Sequence, residues 1–141
     1  MIDRTLETDV LVIGGGGGGL RAAVEAFDAG VRVLVLSKGI VGKSGLTQTA
    51  VTGFQVAFGY ADPRDNPDVH FADTMRAGYG LANAELVRIF TSEAMEAVDD
   101  IESFGARFDR EPDGKLSQRR LDSSQTYPRS IRKGDSVGTP V

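Results

Sequence analysis

Every position from Gly14 to Gly19 is glycine, and three of them answer a specific demand. Gly14 lets the chain turn sharply out of a strand. Gly16 keeps side chains away, so that a pyrophosphate can approach the backbone. Gly19 lets a helix pack closely on that strand. N–H groups of the first helical turn, those of Gly17 and Gly18 among them, then face the phosphates with the helix dipole behind them. Gly15, Gly17 and Gly18 exceed what the turn itself requires and are expected to loosen it. About twenty residues on, where an NAD site usually carries an acid for the ribose, stand Ser37 and Lys38. Serine bonds a ribose hydroxyl more weakly, which disfavours a standard NAD site. The turn alone does not choose between nicotinamide and flavin.

Two other groups of residues have chemical potential. His70 is the chain's one histidine, and with no cysteine anywhere it has no partner for a metal; a structural role is expected of it. Arg119, Arg120, Arg129, Arg132 and Lys133 either face an anion, since guanidinium forks match carboxylates, or decorate a solvated loop.

These residues need elements to hold them. Residues 9–13 (Asp-Val-Leu-Val-Ile) read as a buried parallel strand. Residues 20–29 read as a helix with Leu20, Ala23, Val24 and Phe27 at helical spacing, and Gly30 as its C′ stop. Residues 31–36 read as a second strand. Strand, turn, helix and strand within about 30 residues is the span of one dinucleotide-binding βαβ unit, and such flanks argue against a flexible glycine linker.

Further along, residues 50–59 suggest a short helix or turn, 62–68 a proline-bearing surface loop, and 69–77 a helix. Asn83 is an expected N-cap for a helix over 84–104, with Leu86, Ile89, Phe90, Met95, Val98 and Ile101 on one face and Gly105 as its stop. Met75 and Met95 look like core, and Asp99 and Asp100 like a solvated face. A short strand is expected at 104–108 and a turn at Pro112-Asp-Gly114. The remaining polar stretch is expected to pack on something outside this chain.

The chain has 141 residues, 40% of them hydrophobic, and a net charge of −4. That is enough for one compact domain, and the charge argues against general nucleic-acid binding. No apolar run nears the roughly 18 residues of a bilayer span, and the acidic start lacks a secretory core. A cytoplasmic protein, or one held at a membrane only through partner subunits, is expected, with no direct membrane insertion. Without cysteine there is no disulfide and no iron–sulfur cluster ligand.

Residues 9–23, then Ser37-Lys38, Lys43-Ser44, His70-Phe-Ala-Asp-Thr74, Phe104-Gly105, Asp113-Gly-Lys115, Gln118-Arg119 and Gly134-Asp-Ser-Val-Gly138 recur here in a familiar order. Together they resemble the N-terminal part of the succinate dehydrogenase/fumarate reductase flavoprotein family, which includes L-aspartate oxidase and adenylylsulfate reductase. The resemblance implies an α/β, Rossmann-like FAD-binding fold of the two-dinucleotide type, incomplete in this chain. It divides into a nucleotide-binding unit (8–38), a flavin loop (39–59), a helical region (69–105) and a polar tail (106–141). Gly14, Gly16, Gly17, Gly18 and Gly19 would hold the pyrophosphate, with Ser37, Lys38 and Gly39 beside the adenosine ribose. Ser44, Gly45, Leu46, Thr47, Thr52 and Gly53 would line the isoalloxazine.

The departures from the family are specific. Gly45 and Leu46 stand where respiratory members carry the histidine that bonds the flavin, which implies non-covalent FAD. Thr52-Gly53 replaces a glycine pair. Arg120-Leu-Asp-Ser123 replaces the Phe-Gly-Gly that meets the dicarboxylate. By its position in the family pattern, Tyr127-Pro128-Arg129 would shape an active-site wall in the complete enzyme. The family's principal catalytic arginine lies in later sequence, so no catalytic residue and no metal site is assigned. The resemblance implies an N-terminal segment of an oxidoreductase that moves hydride between a small dicarboxylate and flavin N5, served by an iron–sulfur electron-transfer subunit. The alternatives are amine oxidation as in aspartate oxidase, or a segment without activity of its own.

Overall fold

The computed structural model describes residues 5–43, 45–50 and 53–134. Its order is β1 (Val10–Ile13), α1 (Gly17–Asp28), β2 (Val33–Leu36), α2 (Leu46–Thr49), β3 (Phe54–Gln55), α3 (Pro67–Ala77), α4 (Ala84–Ser103) and β4 (Ser130–Ile131). The mixed α/β chain divides into two compact units, residues 1–49 and 50–141.

In the first unit β1 and β2 pair in parallel, Val10 opposite Val33 through Ile13 opposite Leu36. Parallel pairing needs a crossover, and α1 supplies it. The start of the pair is pinned by Asp9, whose carboxylate accepts from the Arg32 N–H at 2.9 Å and from its guanidinium at 3.0 and 3.1 Å. At the other end Gly14 N–H extends the ladder to the Leu36 carbonyl at 2.8 Å. Gly30, in the left-handed region at φ +82°, closes α1 as expected, with its N–H on the Phe27 carbonyl. The helix starts at Gly17, three residues before the predicted start. Poor intrinsic propensity is overridden there by tertiary packing.

The second unit is built around Val56, Ala94, Val98, Ala106, Phe108, Leu116 and Ile131, with Phe54 edge-on to Phe108 at 5.7 Å. Five expectations change here, the last of them in α4. The apolar stretch predicted as helix or turn contains β3, which pairs antiparallel with β4, Phe54 opposite Ile131. α3 starts inside the predicted loop, because the Asn66 side chain caps the Asp68 and Val69 N–H groups and Pro67 takes the first helical position. Residues 104–108 form no strand, although Ala106 and Phe108 are buried.

The fourth change concerns the polar tail, which packs on its own unit. Leu116 and Ile131 enter the core, and the Gln118 side chain donates to the Val56 carbonyl at 2.7 Å while accepting from Tyr60 N–H at 2.9 Å. The turn at 112–114 forms as predicted, with Gly114 N–H on the Glu111 carbonyl.

α4 begins at Asn83, which caps Glu85 and Leu86 as predicted. Its buried face shares Val98 with the predicted one and differs elsewhere. Val87, Thr91, Ala94 and Val98 point inward, while Leu86 is 64% exposed and Phe90 50%. Both stripes have helical spacing, so periodicity could not separate them. Met95 and Ile101 flank the core as expected.

Candidate functional site

The first unit gathers a backbone cradle. Gly14 leaves β1 with φ +115°, a left-handed turn that glycine allows without penalty. A Cβ on Gly19 would collide with the Gly14 carbonyl oxygen, so the helix can lie this close to the strand only with glycine there. Gly16 is the N-cap of α1 and has no side chain with which to cap it. No acidic residue sits in the first turn to offset the positive end of the helix dipole. First-turn N–H groups have no intrahelical acceptor, so Gly18 and Gly19 present donors at a positive helix end, while the Gly17 N–H is taken by the Thr47 hydroxyl.

Of the three glycines read as surplus, Gly15 and Gly17 have contacts, and a side chain on Gly18 would meet nothing within 4 Å. Gly15 is buried, and a side chain on it would press on the Ser37 hydroxyl and Val41. Gly17 lies against Thr47, whose hydroxyl accepts the Gly17 N–H at 3.0 Å. Thr47 thus reaches the glycine turn from α2, a contact 30 residues apart that no spacing rule signals. Ser37 is half-buried at the end of β2, and Lys38 and Gly39 are exposed beside it. Gly45 is at φ +95°, and Leu46 is exposed. Ser44 and Thr52 lie outside the described residues. Gly53 belongs to the second unit, where a Cβ would strike the Ile131 carbonyl oxygen. Strand pairing is therefore one reason for glycine at this position.

The second unit holds a charged network that sequence reading did not find. Arg129, 1% exposed, donates through one terminal nitrogen to Asp65 at 2.8 Å and to Asp73 at 2.7 Å. Asp73 also accepts from Thr126 N–H and hydroxyl, both at 2.7 Å, and from Arg76. Burial opposes ionisation of Asp73, but the Thr126 and arginine bonds prevail and hold its pKa below the usual value. At Asp65 burial outweighs Arg129, and the pKa is raised. His70, 3% exposed and edge-on to Phe90, is driven down to about 4 by burial and by Arg129, against a smaller opposing pull from Asp73. The imidazole is neutral at pH 7, consistent with the expected structural role. Arg129 fits neither expectation, solvated loop or anion contact, because its charge is already shared by two carboxylates. Arg119, Arg120 and Lys133 are exposed, and Arg132 is half-buried.

The cradle has the chemistry of a dinucleotide site, and comparison with known proteins agrees. The sequence profile of one family, described as FAD binding domain, matches residues 9–137. The chain belongs to the FAD binding domain family. Among relatives of this FAD-binding chain, a fumarate reductase (CoM/CoB) subunit of Methanothermobacter marburgensis is 46% identical over 98% of this chain and 25% of its own length. An L-aspartate oxidase of Streptomyces coelicolor is 33% identical over 96% of this chain and 23% of its own. Of solved structures, the Mycobacterium smegmatis Sdh1 complex in its apo form superposes with TM-score 0.89 at 43% identity, over 94% of this chain and 22% of that one. E. coli quinol fumarate reductase FrdA does so with TM-score 0.84 at 28% identity, over 94% and 22%.

The chain therefore spans about a quarter of the length of the curated relatives it matches. The expected resemblance to the succinate dehydrogenase/fumarate reductase flavoproteins is borne out, and FAD is the cofactor of this family. Similar chains occur in complexes with further subunits. Among the described residues, no helix is long and apolar enough to cross a membrane.

Proposed function

We propose that this chain is the FAD-binding N-terminal segment of a flavin-dependent oxidoreductase, with a Rossmann-like core of the two-dinucleotide type. In this reading residues 8–38 hold the nucleotide and 39–59 approach the flavin. The observation that carries it is the cradle at the head of α1. Its donors come from backbone, its helix end has no acid and no side chain at the N-cap residue, and Gly19 cannot be replaced without moving the helix.

Gly14, Gly16, Gly17, Gly18 and Gly19 would hold the pyrophosphate. Thr47 would line the isoalloxazine in the family pattern, and the bond from Gly17 N–H to its hydroxyl supports a role for it on the phosphate side instead. Ser37, Lys38 and Gly39 would meet the ribose. Ser44, Gly45, Leu46, Thr52 and Gly53 would approach the flavin ring. With glycine at 45 and leucine at 46, neither offers a nucleophile, which supports non-covalent binding. Bound FAD supplies a hydride acceptor or donor at N5, and the protein's part is to bind and orient it.

For the complete enzyme the proposed reaction is hydride transfer between a small dicarboxylate and the flavin, and the proposed electron partner is an iron–sulfur protein subunit. Amine oxidation of the aspartate-oxidase kind is the second reading. The 33% identity to an L-aspartate oxidase and the departure from the family at residues 120–123 favour it. Substrate-dependent flavin bleaching in the complete enzyme separates the two.

The binding reading is tested by an absorbance spectrum of the purified protein before and after acid precipitation. Bands at about 370 and about 450 nm that move to the supernatant are expected. Absence of flavin after incubation of the complete enzyme with FAD would overturn the reading.

A further inference from the structure

α4 presents two faces. Val87, Thr91, Ala94 and Val98 point into the core, the uncharged stripe that burial against the chain itself selects. On the opposite side Leu86, Ile89, Phe90 and Glu93 follow one another at helical spacing with Glu96 beside them, and all are exposed. Scattered exposed apolar residues are ordinary. Three at i, i+3 and i+4 on one helix are neighbours and form a patch, and such patches mark surfaces that bind.

The acids beside the patch have no local explanation. Elsewhere in the second unit Asp62, Asp68, Glu102 and Asp109 each pair with an arginine or lysine. Among the described residues, no cation pairs with Glu93, Glu96 or Asp99. Glu93 and Glu96 are three residues apart on the helix, where like charges repel. The last turn of α4 holds no basic residue to balance them.

The unpaired acids select the occupant. A second copy would set the same carboxylates against this face, and an anionic lipid surface would be repelled in the same way. Permanent burial within one chain favours stripes like that of Val87, whereas apolar residues mixed with charge suit surfaces that also meet water. We propose that the outer face of α4 docks a separate protein, one that covers Leu86, Ile89 and Phe90 with an apolar groove and sets lysine or arginine opposite Glu93 and Glu96. The apolar residues hold the complex, and the carboxylates steer it and fix its register, more weakly as salt rises. The surface is independent of the flavin assignment.

Carbodiimide coupling joins a carboxylate directly to a lysine amine in contact with it, so it reads this pairing. The complete protein is treated with it in extract of its own cells, and the linked peptides are identified by mass spectrometry. Links from Glu93 or Glu96 to a lysine of one other protein are expected. That protein, once purified, should bind the complete protein, and Ile89→Ser combined with Glu93→Lys should weaken the binding at least ~10-fold. FAD content and the unfolding midpoint of the variant should match wild type. Links only within the chain, links between two copies, or no link at all would overturn the proposal. So would binding that the substitutions leave unchanged. A lowered midpoint would also count against it, since the chain itself would then be covering this face.

Discussion

At the head of α1 the chain gathers backbone donors and strips away side chains. Around Arg129 it does the reverse, bringing three charged side chains from distant positions into a space closed to solvent. The first arrangement suits a ligand that brings its own negative charge, since helix-end donors are already aimed and need little ordering. The second satisfies itself. Its arginine is neutralised within the unit, and its cost in desolvation is offset by good geometry and several hydrogen bonds. Positive charge therefore identifies neither a substrate site nor a cofactor site here. The better guide is whether donors are left over.

This contrast can be broken by substitution. Arg129→Ala would strand Asp65 and Asp73 in the interior, and the expected loss is about 3–5 kcal/mol, read as a lowered urea midpoint. A near-wild-type midpoint would mean that the network is more hydrated than its burial suggests. Gly19→Ala should act on the other side of the comparison. Pushing α1 off the Gly14 carbonyl is expected to weaken FAD binding at least ~100-fold, or about 2.7 kcal/mol, measured by flavin titration. Unchanged affinity would show that the cradle tolerates a displaced helix.

His70 gives the network a pH dependence. Its folded pKa, about 4, lies below the unfolded value of 6.5. Its contribution is therefore complete above pH 6.5 and is lost as pH falls towards 4, because the unfolded chain takes up the proton first. The total is on the order of 3 kcal/mol. It should appear as a steeper acid-side loss of stability in wild type than in His70→Gln. Parallel pH profiles would refute it. The smallest effect expected is from Asn66→Ala, which removes the α3 cap and should cost about 1 kcal/mol in the unfolding midpoint while leaving FAD affinity alone.

The sequence by itself determined the local features. The βαβ unit, the turn at Gly14, the close approach at Gly19, the stop at Gly30 and the cap at Asn83 each depend on residue type within a few positions. A φ of +115° calls for glycine, and a helix start with free N–H groups calls for a side chain such as asparagine, so both leave their mark in the residue itself. Tertiary structure alone decided the rest. Leu86 and Val87 lie on adjacent stripes with the same period, and only tertiary packing buries Val87, Thr91 and Ala94 rather than Leu86 and Phe90, while Val98, predicted to face inward, packs with Val56 and Ile131. The partners of Arg129 lie 56 and 64 residues away, and Thr47 lies 30 from Gly17. Such pairings follow from where the folded chain returns, and no local preference encodes a charge that will be buried only after that return.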